Sequence, residues 1–467
     1  MKIRTILAFI LSLCMTCSLV SCGQGEGSQS GGESETPPTV PDGSESGTAT
    51  RTDSVTLAYY TAEGLHPYTC DNAANQIITD LIYEPLFEID DSFEAESCLA
   101  ESCAVQVSSV SGPKAEDTGE GDTSEDDLSD EGEGDAAKPK RNKIAGETVC
   151  TIQLRDDVRF SDGSAMTAAD VAYSLEQAAK SGSIYADRLA DVQSVRVSGD
   201  STVIITLNAA NAAFETLLDI PIVSSGTAGD RFPVGTGPYQ VKEKSGKAQK
   251  LTSNAGWWQK KSLPATEVGL YEAEDSDMLI FGFGSGAVSM VATDLTGTGS
   301  LTYTGEYDVV DYPTTSMIYV GCNTRSGSCQ SKSFRQVLNY AFDRETLATK
   351  MLSGHAEAAA LPVSPNSKLY DEKLAEKYAW SEEKAKEALQ DTAYYGQTLT
   401  LIVNSESTFK TAFAGELEKE LEAVGISVEV KKLAWGDFAD ALKNREFDLY
   451  LGEVKLTANF DLTELIT

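Results

Sequence analysis

The chain has 467 residues, 41% of them hydrophobic, and a formal net charge of −35. That length supplies two or three domains with real cores, and the acidity excludes nucleic acid as a partner, because phosphate binding needs basic patches and counterion release. The only histidines are His66 and His355, and no Cys-x-x-Cys pair occurs beyond residue 22, so neither a metal site nor a cofactor is expected.

In chain order, Lys2 and Arg4 precede an apolar run from Ile6 to Val20 that is too short to be kept as a membrane span. With the small Ser21 before Cys22, residues 1–21 read as an export signal. Leu19-Val20-Ser21-Cys22 resembles the lipobox of bacterial lipoproteins, which implies that Cys22 is acylated and becomes the first mature residue. Two or more acyl chains hold a protein on a membrane lastingly, so the expected location is the extracytoplasmic face of the cell membrane, attached by lipid alone. Residues 22–53 are mostly Gly, Ser, Glu, Thr and Pro and read as a disordered tether.

The folded body begins with a strand over Ser54–Tyr59 and a helix over Asp71–Tyr83 that turns Ile77, Ile78, Leu81 and Ile82 inward. Residues 108–146 follow as an insertion rich in Asp and Glu, without an aromatic residue, and read as a disordered acidic loop. Val149 to Arg155 alternates like a half-buried strand. Ser161-Asp162-Gly163-Ser164 marks a turn in which Arg155 and Asp162 can pair, and Thr167 to Asp170 reads as a capping box opening a helix. Val195–Val197 and Val203–Leu207 form a hairpin across Gly199-Asp200.

Further on, Phe334, Val337, Leu338 and Ala341 share a helix face, Asp343 caps the next helix and Gly354 ends it. Phe409, Phe413, Leu417, Leu421 and Val424 make another stripe, Ile426 to Val430 a strand, Trp435 to Leu442 a helix and Phe447 to Leu451 a strand. Alternating strands and helices of this kind build an α/β lobe. Beyond Cys22, six cysteines remain: Cys70, Cys98, Cys103, Cys150, Cys322 and Cys329. Cys322 with Cys329, and Cys103 with Cys150, are possible pairs, but spacing alone leaves every connectivity open.

The order of motifs carries a family resemblance. Leu65-His66-Pro67, Leu81-Ile82-Tyr83-Glu84-Pro85-Leu86-Phe87, Leu154 to Ser164, Thr167 to Ser174, Val234-Gly235-Thr236-Gly237-Pro238-Tyr239, Trp257-Trp258 and Phe334 to Glu345 resemble the family 5 solute-binding proteins of bacterial ABC importers. The resemblance implies a mixed α/β, type II periplasmic-binding-protein clamshell: a first lobe over 54–270, a second over 271–467 that is short relative to the family, and a hinge between them. It implies a monomer that captures a peptide or related small solute and docks on a permease driven by separate ATPase subunits. Gly235 and Gly237 serve backbone geometry, since no lysine-bearing helix start follows to make a phosphate loop.

The ligand contacts it implies are Tyr59 or Tyr60 at the first strand's end, Asn75, Trp257 or Trp258, Asn323 after the strand Met317–Cys322, and Trp435. Gly452 is followed by Glu453 where peptide-binding members have tryptophan, and their acidic residue for the peptide amino group is missing at its usual spacing; Glu453 joins the candidates and Asp461 is the next carboxylate. No catalytic residue is assigned: the chain has no nucleophile elbow, no His-Glu-x-x-His and no Walker lysine. A surface receptor or adhesin on the same fold, and a cell-surface hydrolase using paired carboxylates, are the competing readings.

Overall fold

The computed structural model describes residues 55–108, 144–297, 303, 305–463 and 465. The export signal, Cys22, the tether and residues 109–143 of the acidic insertion lie outside the described residues.

Strand β1 (Val55–Tyr60) leads into helix α1 (Ala73–Ile82), which Asn72 caps by accepting the Asn75 N–H. Ile77, Ile78, Leu81 and Ile82 are all buried, as their spacing requires. The hairpin of β2 (Phe87–Ile89) and β3 (Ala95–Ser97) precedes β4 (Ala100–Ser108), and β5 (Glu147–Leu154) returns antiparallel with Glu147 opposite Ser108. The acidic stretch therefore joins two paired strand ends. Helix α2 (Ala168–Ala178) opens at the expected box: one Asp170 oxygen accepts the Thr167 N–H at 3.0 Å, and the other accepts the N–H and hydroxyl of Ser225. Burial works against ionisation there, yet these donors hold the Asp170 carboxyl below its ordinary range.

The hairpin of β6 (Val192–Ser198) and β7 (Thr202–Leu207) turns at Gly199, where φ is +66°. Strands β8 (Tyr239–Lys244), β9 (Lys247–Ser253) and β10 (Glu267–Ala273), then helix α3 (Ser276–Gly284), complete the N-terminal half. Two four-stranded sheets result, ordered β1-β10-β9-β8, with β1 and β10 parallel, and β4-β5-β7-β6. One apolar cluster running from Val55 to Val268 fills the space between them. Arg155 does not pair with Asp162. It bonds Asp157 through two nitrogens at 3.0 and 3.1 Å, because Asp162 is turned onto the Ser164 N–H and hydroxyl.

The C-terminal half contains β11 (Ser316–Cys322), α4 (Lys332–Ala341), α5 (Arg344–Leu352), α6 (Glu372–Lys377), α7 (Glu382–Gln390), β12 (Leu399–Asn404), α8 (Thr408–Ala423), β13 (Val428–Leu433), α9 (Trp435–Asn444) and β14 (Leu449–Lys455). Its sheet is ordered β11-β14-β12-β13, with β12 parallel to both neighbours and β11 antiparallel. The last strand runs four residues past its expected end at Leu451, because β11 pairs with it as far as Ser316 opposite Lys455. Helix α5 stops on left-handed Ser353, one residue before Gly354. A second apolar cluster spans Cys329 to Leu451. A third, built on Ile89, Phe93, Leu456 and Phe460, ties the β2–β3 hairpin to the chain after β14, with Phe93 and Phe460 edge to face at 5.1 Å.

Candidate functional site

The three parallel strands of the C-terminal sheet point the same way, and their connections reverse over β12. From β12 the chain passes through α8 to β13 on one side, then through α9 back across to β14 on the other. The two helices cover opposite faces: Leu401 and Val403 share a cluster with Leu417 and Leu421 of α8, while Ile402 packs with Phe438 and Ala441 of α9. A crevice opens where connections diverge this way, outside the carboxyl ends of the strands, and such crevices hold ligands in open α/β sheets.

Several side chains stand at these strand ends. Ser407 caps α8 by accepting the Lys410 N–H at 3.1 Å, and Glu406 accepts the Trp435 N–H at the start of α9, also at 3.1 Å. Continuing the β12–β14 register from Ile402 opposite Tyr450 places Glu453 just beyond the end of β12. One Glu453 oxygen meets Lys410 Nζ at 2.7 Å, and the other accepts the Thr296 hydroxyl at 2.6 Å. The Lys410 and Glu453 side chains are only 16% and 18% exposed, so the pair is better shielded from water than a surface ion pair. Thr296 belongs to the segment leaving the N-terminal half, so the carboxylate holds both halves of the chain.

In the N-terminal half, β1 and β10 are also parallel and end at Tyr60 and Ala273. Tyr60 is half-buried beside Tyr271, Phe283 and Tyr303. Burial pushes its phenol above the ordinary value, so near neutral pH it is an uncharged donor.

Of the residues singled out from sequence, Tyr60, Trp435 and Glu453 stand at carboxyl strand ends, with Trp435 57% exposed and stacked on Phe438. The others have structural places. Tyr59 is 1% exposed within the N-terminal core. Asn75 accepts the Tyr60 N–H and donates to the carbonyls of Tyr60 and Gly64, leaving no N–H for a solute. Trp257 and Trp258 both donate to the buried Glu84 carboxylate, at 2.9 and 2.7 Å, with the Arg155 guanidinium over the Trp258 ring. Asn323 lies at the opposite end of its sheet, where its amide bonds the carbonyls of Arg445 and Phe447. A cavity of about 450 Å³ at that far end is lined by Ser328, Phe334, Tyr394 and Asp448, but its one carboxylate is already bonded to the Thr400 N–H. Lys410, Thr296 and Glu406 escape sequence reading, because strand order brings them together and spacing does not reveal strand order. Among the described residues no cluster of three or more His, Cys, Asp or Glu is placed to hold a metal.

This architecture has known counterparts. The profile of "Bacterial extracellular solute-binding proteins, family 5 Middle" matches residues 133–460, and the chain belongs to that family. Oligopeptide-binding protein AppA of Bacillus subtilis is 24% identical over 345 residues, 66% of this chain and 62% of its own length. Nickel-binding protein NikA of Staphylococcus aureus is 24% identical over 334 residues, 68% of this chain and 65% of its own. The chain thus aligns with less than two thirds of either relative. The crystal structure of the ABC transporter substrate-binding protein CtaP of Listeria monocytogenes superposes with a TM-score of 0.60 at 18% identity, covering 87% of this chain and 79% of that one. The fold is accordingly the mixed α/β, type II periplasmic-binding-protein fold, and the relatives are binding proteins, not enzymes.

Proposed function

We propose that this chain is the extracytoplasmic substrate-binding subunit of an ABC importer, capturing a peptide or related small solute and passing it to a membrane permease. The observation that supports this reading is the shielded Glu453–Lys410 pair at the carboxyl ends of β12 and β14, which Thr296 ties to the segment leaving the N-terminal half. The boundary between the lobes lies after α3 instead of at residue 270, because β10 pairs with β1 as far as Ala273 opposite Tyr60, and the solute enters between the lobes. Glu453 and Lys410 then exchange part of their mutual attraction for the solute's own charged ends, while Tyr60 and Trp435 supply apolar surface. Closure of the halves lets such a site surround its ligand, and the ligand shifts the equilibrium only by binding the closed form more tightly. Cys22 carries the lipid that keeps the subunit at the membrane.

The test is direct. The chain is purified from its native membranes without denaturation, and solute released by acid is identified by mass spectrometry. A stoichiometric peptide or small solute, lost in the Glu453→Gln variant, is expected; an empty protein that converts offered peptides or sugars into products overturns the reading. For the anchor, Cys22→Ala is expected to move the protein from the membrane fraction into the medium, and retention on membranes contradicts it.

A further inference from the structure

The strands that frame the acidic stretch carry two thiols facing one another. Cys103 on β4 and Cys150 on β5 bring their sulfurs to 3.1 Å. The register explains the approach: Cys103 stands opposite Ile152 and Cys150 opposite Val105, so both side chains leave the same face of the ladder on a diagonal. A sulfur–sulfur bond requires closure by about 1 Å from there.

We propose that Cys103 and Cys150 form a disulfide in the mature protein, closing residues 104–149, acidic stretch included, into a covalent loop. The proposal rests on the export reading, since such bonds persist outside the reducing cytoplasm. The oxidant is a dithiol–disulfide exchange catalyst or a small disulfide such as oxidised glutathione. The two thiols divide the work. Cys103 is partly exposed, and the bond it accepts from Cys150 lowers its pKa; Cys150 is fully buried, and giving that bond raises its own. The nearby Glu215 carboxylate works against thiolate formation at both. The Cys103 thiolate therefore attacks the oxidant first, forming a mixed disulfide and expelling one thiolate. Cys150 loses its proton and attacks the Cys103 sulfur, expelling the second. Two protein thiols give up two electrons and two protons, and the oxidant leaves as two thiols.

The full chain, reduced and then exposed to oxidised glutathione, is alkylated and cut after Glu and after Lys or Arg. Cleavage at Glu101 separates Cys103 from Cys98, and cleavage at Glu147 and Arg155 isolates Cys150. A cross-linked pair of these peptides, lighter by two hydrogen atoms than their sum, is expected. Cys150→Ser is expected to trap one glutathione on residue 103, and Cys103→Ser to leave Cys150 unmodified. The oxidised chain is expected to melt several degrees above the reduced one, as closing a long loop predicts. Alkylated thiols at both positions, or a bond from Cys103 to another cysteine, overturn the proposal through its geometry. A bond that forms with glutathione but is absent from protein isolated from cells overturns it through the export premise.

Discussion

Glu453 concentrates the chemistry of the crevice in one side chain. It neutralises Lys410, accepts from Thr296 and sits outside the end of β12. Glu453→Gln leaves a shielded ammonium without its counter-charge, which is expected to lower stability by about 1.5–3 kcal/mol, the range for hydrogen bonds to charged groups. Urea denaturation checks this, and an unchanged midpoint contradicts it. Glu84 makes a second prediction. Burial pushes its carboxyl up to about 7, even though the indole N–H groups of Trp258 and Trp257 favour the ionised form. The folded state thus holds this proton more tightly than the unfolded chain. Its contribution is complete below about pH 4.5, the unfolded value, and is lost as pH rises through about 7, a change of roughly 3 kcal/mol. Glu420, raised by burial to about 7, acts in the same direction. Melting temperature is expected to fall across that window, and less steeply in Glu84→Gln; a rise with pH contradicts the assignment. Nothing in the sequence marks Glu84 as the buried partner of both tryptophans, since that contact joins residues more than 170 positions apart.

At the scale of elements, glycines fix how closely strands and loops approach. A side chain at Gly235 or Gly237 would place its first carbon 2.2 or 2.6 Å from the Ile82 carbonyl oxygen, the group to which the Gly237 N–H donates at 2.9 Å. Gly237→Ala is expected to destabilise by about 1–3 kcal/mol, or to prevent folding, because backbone cannot step aside as a flexible side chain can. A thermal melt equal to that of the parent chain contradicts this. The run Gly-Thr-Gly-Pro signals this role in the sequence, whereas its partner on α1 is invisible there. Gly452 makes a similar approach next to the site. The Tyr319 ring lies across it, 2.6 Å from where an added carbon would sit, while the Tyr450 ring lies over Gly321 in the same way, and the two rings meet edge to face. This mutual fit aligns β14 with β11 and delivers Glu453 to its place. Helices and their caps are legible where each is set by neighbours in the chain, as at Thr167 and Asp343. The extension of β14 to Lys455 is not, because a partner strand more than 130 residues away supplies it.

For the whole molecule, family membership and the α/β fold could be read from motifs in order, but the meeting of the crevice residues could not. Asn75, early in α1, and Asn323, just after β11, show why: backbone carbonyls occupy the amide groups of both. Lys410 stood unnoticed in the first turn of α8 because its importance depends on β14 lying beside β12. The proposed capture mechanism joins the carboxyl strand ends of two sheets and so makes a spatial prediction. Hydrogen exchange on the full chain, with and without an excess of casein digest as a peptide source, reads it segment by segment. The account predicts slower exchange over residues 404–410, 434–436 and 452–454, and around Tyr60, with no such slowing in Glu453→Gln. Uniform exchange with peptides present, or protection confined to the far cavity around Tyr394 and Asp448, would contradict it.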